Sequence, residues 1–363
     1  MTKQRTYPLS VLIVVVLLGL LAGFTGGLFG FISVVPYGTT DVTSGRRLAP
    51  RAESERVPEL AATVAPALVA IYPSRARLPG ASPLSAAFVP TERLGMGFFV
   101  TSDGWVATSA EALRQGRSFL LVTADRRVFP SQSIVFDPAS DTAFIRIAAE
   151  NRPTLPFGAS GALRRGEDLY VFGPRGESVI TELTIAASPE AQNRDELMSS
   201  SEKIGARLFI SSFLPVRFAG APVVNRRGEI VGVLQRRGES VTGATPWDYI
   251  QPVLGGVFRG EGINRPRLGV QYADMGTLVP APAGLPERGA LVTGVLVEGP
   301  AAGLLRLNDV VTQVGGDVLD GSRGLAEVIA DYRSGDKITL TVIRSGETRD
   351  ISITLGKVAG RRQ

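Results

Sequence analysis

The chain has no cysteine and no histidine among its 363 residues. Without cysteine there can be no disulfide, thiol nucleophile or thiolate metal site, and the redox compartment stays open. Without histidine, every Ser–His or Cys–His mechanism is excluded, together with the usual zinc ligand sets. A carboxylate pair or a Ser–Lys dyad is what remains, and lysine is scarce: Lys3, Lys203, Lys337 and Lys357 are all there is. No metal and no cofactor are therefore expected. Blocks of like charge are also missing. The net charge of +5 comes mostly from scattered arginines, in nothing longer than pairs such as Arg46-Arg47 and Arg164-Arg165. With no basic run interleaved with aromatics, no nucleic-acid partner is expected. Anionic lipid beside a membrane anchor is a more economical partner for that charge.

Apolar content of 44% with 20% charge describes a globular protein, long enough for two or three domains that each bury a core. Met1–Tyr7 is short and positive through Lys3 and Arg5, and Leu9–Val35 then runs uncharged for roughly 27 residues. A cleavable signal peptide would carry an apolar region of about 7–15 residues and a small-x-small cleavage site. This run is too long and no good site follows. The expectation is a retained signal anchor over residues 1–36, with the lipid bilayer as partner through Leu9–Val35 and everything after Pro36 extracytoplasmic (periplasmic or external). Gly19, Gly23 and Gly27, and separately Gly26 and Gly30, recur at four-residue spacing. That spacing permits close helix–helix approach, although glycine is also simply common in membrane helices. Residues 37–56 are polar with no apolar period and read as a flexible linker.

From Val57 the texture changes. Pro58–Val64 reads as one or two helical turns and Pro66–Tyr72 as a strand. Short β candidates bounded by Gly, Asp and Pro follow: Gly97–Thr101, Trp105–Ser109, Phe119–Thr123, Ser133–Phe136 and Ala143–Ile147. Ser102-Asp103-Gly104 is a hairpin turn. The second half repeats the texture at Asp168–Gly173, Val179–Ala187, Arg207–Ser212, Ala221–Asn225 and Glu229–Arg236. A helix is expected from Thr245, with Thr245 as cap, Pro246 at the first helical position and Asp248 in the first turn. Two sets of about six strands closed by a helix suggest a double β-barrel.

Five segments carry a family resemblance. Arg217-Phe218-Ala219-Gly220-Ala221-Pro222-Val223-Val224-Asn225 resembles the nucleophile-bearing Gly-Asn-Ser-Gly-Gly-Pro-Leu-Val-Asn segment of trypsin-like serine proteases of the HtrA/DegS type. Pro66–Tyr72 is similar to that family's opening strand, and Gly95–Leu113 to its Gly-x-Gly-Phe, hairpin and Thr-Asn-x-His segment. Asp137–Arg146 is similar to its Asp-x-x-x-Asp-Leu-Ala-Val-Leu segment, and Leu155–Gly158 with Gly166–Pro174 to its inter-barrel connection. The resemblance places the triad positions at Glu111, Asp141 and Ala219, and an oxyanion-hole glycine at Arg217. Alanine has no oxygen to deprotonate, and a carboxylate at 111 would repel Asp141 rather than be oriented by it. Arginine does not freely adopt the backbone that glycine gives the oxyanion turn. Losing Ser or His alone costs about 10⁶ in turnover in a well-studied protease, so no triad-based proteolysis is expected. Ser109 beside Glu111 is a poor substitute dyad, and Asp141-Thr142-Ala143 lacks the second copy that an aspartic-protease dyad needs. An ion pair between Arg217 and Glu111 in the emptied cleft is the alternative use of those charges.

Pro266–Leu355 resembles a PDZ domain of the HtrA kind. Arg267-Leu268-Gly269-Val270 is similar to the loop whose N–H groups hold a peptide's terminal carboxylate; Gly299–Leu304 and Asn308–Gly316 are similar to the domain's core motifs. Asn308 replaces a glycine, which Asn's tolerance of positive φ allows. The resemblance implies peptide binding by strand addition at Arg267, Leu268, Gly269, Val270, Gln271 and Tyr272, against a helix bearing Leu325 and Ile329; core packing is the alternative role for Leu325 and Ile329. The expected class is mainly β: an N-terminal transmembrane helix, a chymotrypsin-like double β-barrel over 57–262, an α+β PDZ domain over 263–357 and a tail over 358–363. The expected function is that of a membrane-anchored HtrA-like pseudoprotease in protein quality control. It would act as scaffold, peptide sensor or regulator toward C-terminal or unfolded segments, as a homo-trimer or as a hetero-oligomer with an active paralogue. The alternatives are a serine-type hydrolase with an unrecognised nucleophile, or a structural subunit of a membrane complex.

Overall fold

The computed structural model describes residues 51–74, 87–114, 116–173, 178–186, 197–237, 240–279 and 284–362. The expected span Leu9–Val35 and the linker up to residue 50 lie outside these residues. Among the described residues no helix is long and apolar enough to cross a membrane. The first described element is α1 (Arg51–Val64), a longer helix than Pro58–Val64 suggested, with Pro58 inside it.

Strands β1 (Leu68–Pro73), β2 (Gly95–Phe99), β3 (Trp105–Ser109), β4 (Phe119–Thr123), β5 (Val128–Asp137) and β6 (Thr142–Ile147) run antiparallel in the order β5-β4-β1-β2-β3-β6. Pairing of β6 back onto β5 closes them on themselves, which removes the exposed edges an open sheet would present. Val69, Ile71, Phe99, Val106, Leu121 and Ile145 fill the interior. Gly104 ends the β2–β3 turn at φ +107°, a conformation open to glycine.

The second barrel uses β7 (Asp168–Phe172) and β8 (Ser178–Ala186). After β9 (Met198–Ser200), which lies outside that barrel, it continues with β10 (Arg207–Pro215), β11 (Pro222–Val224), β12 (Ile230–Arg237) and β13 (Ser240–Pro246). Its order is β10-β13-β12-β11-β7-β8, closed. One apolar cluster runs between the barrels, from Leu68, Phe98 and Phe144 to Leu169, Val233 and Trp247. Trp247 is fully buried, with its ring 5.7 Å from that of Phe98.

The helix expected from Thr245 is not formed as one piece. Thr245 belongs to β13, where it pairs with Val233 and donates its hydroxyl to the Ser140 carbonyl. Asp248 does lie in the first turn of a short 3-10 segment, but its carboxylate accepts from the Ser160 and Gly161 N–H groups. Pro252 and the Gly255-Gly256 pair then confine helical structure to 3-10 turns at Trp247–Tyr249 and Gln251–Val253 and to the single turn α2 (Leu254–Phe258).

The C-terminal module begins with β14 (Asn264–Arg267) and β15 (Val270–Asp274), followed by β16 (Ala290–Val295), β17 (Val310–Val314) and β18 (Asp317–Val318). The short helix α3 (Leu325–Ile329) and the long hairpin β19 (Lys337–Arg344) and β20 (Glu347–Thr354) complete it. The hairpin turns on Ser345 and Gly346, both at positive φ as a two-residue turn of this hand demands. Asn308 takes φ +69°, the conformation its residue type was expected to accept. Within the stretch 358–363, read from sequence as a tail, the described residues 358–362 continue the pairing. Strand β21 (Gly356–Ala359) lies on β14, and β22 (Arg361–Arg362) pairs with β5 of the first barrel. A second tie between barrel and module is an ion pair, Arg265 to Asp137, almost wholly out of water.

Candidate functional site

The sequence-derived cleft residues do come together. Glu111 sits on the 3-10 turn Ala110–Leu113 that follows β3, and the Ala110 N–H donates to the Asp141 carbonyl at 2.8 Å. The Met96 N–H donates to the Ala219 carbonyl at 2.7 Å. Gly220 approaches so closely that a Cβ there would lie 2.2 Å from the Met96 carbonyl and 2.8 Å from the Ser109 nitrogen. Its φ of +85° and this approach make glycine a requirement.

The side chains do not assemble into a relay. The Glu111 carboxylate is partly exposed and accepts from Arg114 Nη1 at 2.9 Å, one turn away on its own element. Asp141, held at φ +57°, turns its carboxylate to Lys203 and, at 3.4 Å, to Arg207. The expected Arg217–Glu111 pair is absent: Glu111 is satisfied locally, and the Arg217 guanidinium lies over the Phe218 ring, 5.6 Å from its centroid. Local helical pairing wins because residues three apart on a turn need no further ordering to meet. Ser109 is no nucleophile for Glu111 either. It is fully buried, and its hydroxyl donates to Gln235 Oε1 at 2.7 Å.

The turn at Ala219 bears on the remaining chemistry. Val216–Phe218 forms a 3-10 turn, so the Ala219 N–H points back to the Val216 carbonyl at 2.9 Å. In a serine protease the N–H of the nucleophile residue is one of the two donors that stabilise the tetrahedral oxyanion. Here that donor is spent within its own turn, and Arg217 is wound into the same right-handed turn.

In the C-terminal module the expected peptide-binding residues are engaged, and by this chain itself. Strand β9 runs antiparallel along β15, with Gln271 opposite Ser200, Tyr272 opposite Ser199 and Ala273 opposite Met198. The Ser201 N–H donates to the Val270 carbonyl at 2.9 Å, and its hydroxyl accepts from the Val270 N–H at 3.0 Å. One oxygen of Glu202 accepts from both the Leu268 N–H (3.1 Å) and the Gly269 N–H (2.7 Å). Gly269, at φ +83°, is pressed against Gly299, where a Cβ would come within 2.7 Å of its Cα. Arg267 stands apart, because its backbone pairs with Gly356 in the β14–β21 ladder. Leu325 and Ile329 are buried with Leu268 and Val270 in the module's core. The Tyr272 hydroxyl accepts from the Ala326 N–H at 3.4 Å, and burial, with the Glu327 carboxylate beside it, pushes that phenol well above its ordinary range.

The roles of residues 198–206 and of Glu327 escaped the sequence reading. Glu327, on α3, is 4% exposed, and its Oε1 accepts from Gly205 (2.7 Å) and Ala206 (2.8 Å). A carboxylate between Leu325 and Val328 on an apolar helix face was a usable signal, since buried acids are paired with something. Nothing in the sequence marks Glu202 for the PDZ loop, since its partners there lie 66 and 67 positions along the chain.

Comparison with known proteins agrees with this architecture. Residues 95–233 match the family model of the trypsin-like peptidase domain, and residues 266–355 match that of the PDZ domain. A curated relative from Pseudomonas fluorescens, a probable periplasmic serine endoprotease DegP-like, is 28% identical over 279 residues, covering 74% of this chain and 57% of its own. The protein of the same description from Pseudomonas savastanoi pv. phaseolicola is 26% identical over 344 residues, covering 90% and 70%. This chain spans little more than half the length of the first of these. Among solved structures, the HtrA-type protease AlgW with tripeptide superposes with a TM-score of 0.62 at 21% identity, over 83% of this chain and 97% of that one. The same protease with decapeptide gives 0.61 at 21% identity, over 83% and 98%. This chain therefore carries a trypsin-like peptidase domain followed by a C-terminal PDZ domain, and it is similar in sequence to DegP-like proteins and in fold to an HtrA-type protease.

Proposed function

We propose that this protein is a catalytically silent HtrA-type scaffold, anchored to a membrane by Leu9–Val35 and facing the extracytoplasmic side. It acts there by binding C-terminal or unfolded peptide segments at its PDZ domain. The reading is carried by the turn at Ala219: there is no side-chain oxygen to attack with, and its N–H is bonded to the Val216 carbonyl instead of standing free for an oxyanion. The absence of any imidazole in the chain supports the same conclusion, since neither Glu111 nor Asp141 can replace a neutral base that becomes a cation. The periplasmic description of the DegP-like relatives supports the extracytoplasmic side, and the peptides named with AlgW support peptide binding. Oligomerisation, as a homo-trimer or with an active paralogue, belongs to the same proposal.

The test is direct. The purified full chain is incubated with a serine-directed fluorophosphonate probe and with unfolded casein. No labelling and no cleavage above buffer are expected. Labelling or turnover that persists through successive purification steps and tracks with this chain would overturn the silent-scaffold reading and favour a hydrolase with another nucleophile.

A further inference from the structure

Residues 198–202 meet the PDZ groove in the way a peptide ligand would. A peptide that adds a strand to such a groove gains affinity from main-chain bonds, and its terminal carboxylate is caught by converging backbone N–H groups. Strand β9 supplies the main-chain bonds, and its direction is right: following the chain from Met198 to Ser200 moves along β15 toward the loop at Leu268. At that loop the two converging N–H groups hold the Glu202 side-chain carboxylate, in the position where a terminal carboxylate would arrive. The Ser201 hydroxyl donates to the same oxygen and the Ser200 hydroxyl to the other, so both are satisfied. The second groove wall is engaged as well, because Glu327 of α3 grips the Gly205 and Ala206 N–H groups a few residues on.

We propose that Met198–Glu202 is a built-in ligand of the PDZ groove, with the Glu202 side chain standing in for a peptide's terminal carboxylate. An external C-terminus binds only by displacing this segment. This rests on the peptide-binding reading above and adds a gate to it. A tethered competitor acts at an effective concentration on the order of millimolar, and the apparent affinity of an outside peptide falls by the fraction of grooves left open. The gate is also tied to the first barrel just after Glu202. Lys203 bonds Asp141 and the Pro138 carbonyl, and the Ile204 N–H donates to the Ala139 carbonyl, so opening the groove also loads the loop at 138–141.

Two measurements on the full chain, wild type and Glu202→Ala, test the gate. The first is hydrogen exchange at the Leu268 and Gly269 amides, which the Glu202 carboxylate protects. The second is binding of fluorescein-labelled hexapeptides ending in Val, Leu, Phe or Ala, each made with a free and with an amidated C-terminus. Glu202→Ala is expected to speed exchange at both amides by about tenfold or more and to tighten binding of free-carboxylate peptides by a similar factor, leaving the amidated set unchanged. Glu202→Gln keeps an acceptor without the charge. It is expected to shift both readouts less, in the same direction, and it serves if the alanine variant does not fold. Exchange that is unchanged in both variants overturns the built-in ligand, and equal peptide binding in all three proteins would then leave the peptide-binding reading standing. Faster exchange with no peptide bound by any protein supports the built-in ligand and overturns the peptide-binding reading instead.

Discussion

The ion pair between Asp137 and Arg265 offers the sharpest test of how barrel and PDZ domain are held together. Asp137 closes β5, Arg265 lies on β14, and 128 positions of chain separate them. Their side chains are 0% and 5% exposed. The carboxylate accepts from Arg265 Nη2 at 2.5 Å and Nε at 3.3 Å, and also from the Ser140 hydroxyl and the Ala139 N–H. Arg265 Nη2 additionally donates to the Tyr249 carbonyl at 2.6 Å. Arg265→Met therefore strands a carboxylate in the interior with only two neutral donors. Breaking a buried pair on one side costs about 3–5 kcal/mol, far more than the ~0–1 kcal/mol of an exposed pair such as Arg259–Glu261. For a folded unit of this size, each kcal/mol moves the midpoint by roughly 2–4 °C, so a fall of about 10 °C is expected in a thermal melt. Asp137→Asn with Arg265→Met should cost less than the sum of the single changes, because the double variant leaves no charge unpaired. A single-variant loss below about 1 kcal/mol in urea titration, with additive behaviour in the double variant, would refute the reasoning.

Two further outcomes follow from backbone strain and from charge. Gly220→Ala forces an L side chain to φ +85° with its Cβ 2.2 Å from a carbonyl, and should cost about 3 kcal/mol or more in urea titration. Gly228→Ala, at φ +76° with only the movable Leu60 side chain at 3.1 Å, should cost about 1–2 kcal/mol; equal losses at the two sites would show that the clash at Gly220 is not felt. Burial alone would push the Asp309 carboxyl up, but the bond from Arg344 and the Arg306 N–H outweigh it and hold the group below its ordinary value. A carboxyl depressed in the folded state contributes stability that is present above about pH 4 and is lost as pH falls through the lower folded value. Arg344→Met should therefore be less stable than wild type at pH 7, with a gap that narrows from pH 5 toward pH 2; a gap constant with pH would remove the pair as its cause.

Most of the barrel was legible because its strands are short, apolar and punctuated by turn residues whose conformations are local matters. Trp105–Ser109 and Phe119–Thr123 appear where the turn residues that bound them put them. The misreading at Thr245 shows where local signals stop. Thr, Pro and Asp in that order satisfy helix-cap rules, but the Thr245 hydroxyl and the Asp248 carboxylate find partners at Ser140, Ser160 and Gly161, up to 105 positions away. The same limit hid β9, whose Met-Ser-Ser has little strand propensity and forms a strand because β15 offers an edge. The cleft was legible in identity and illegible in geometry. Glu111, Asp141 and Ala219 are read from their neighbours in sequence, whereas Asp141 turns to Lys203, 62 positions away, by a choice that the fold makes.

Asp141 connects the two halves of the functional reading. A triad aspartate works by holding an imidazole through its carboxylate, a duty that keeps a carboxylate oxygen turned toward the base. Asp141 has no imidazole to hold, and its oxygens are taken by Lys203 and Arg207. Lys203 directly follows Glu202, so adjacent residues of one segment bond the triad-position acid and the PDZ loop. An imidazole at position 111 would compete with both cations for that carboxylate, and winning it would remove one of the segment's ties to the barrel, beside those to the Pro138 and Ala139 carbonyls. In this arrangement, rebuilding the relay and keeping the PDZ groove closed make opposing demands on one side chain.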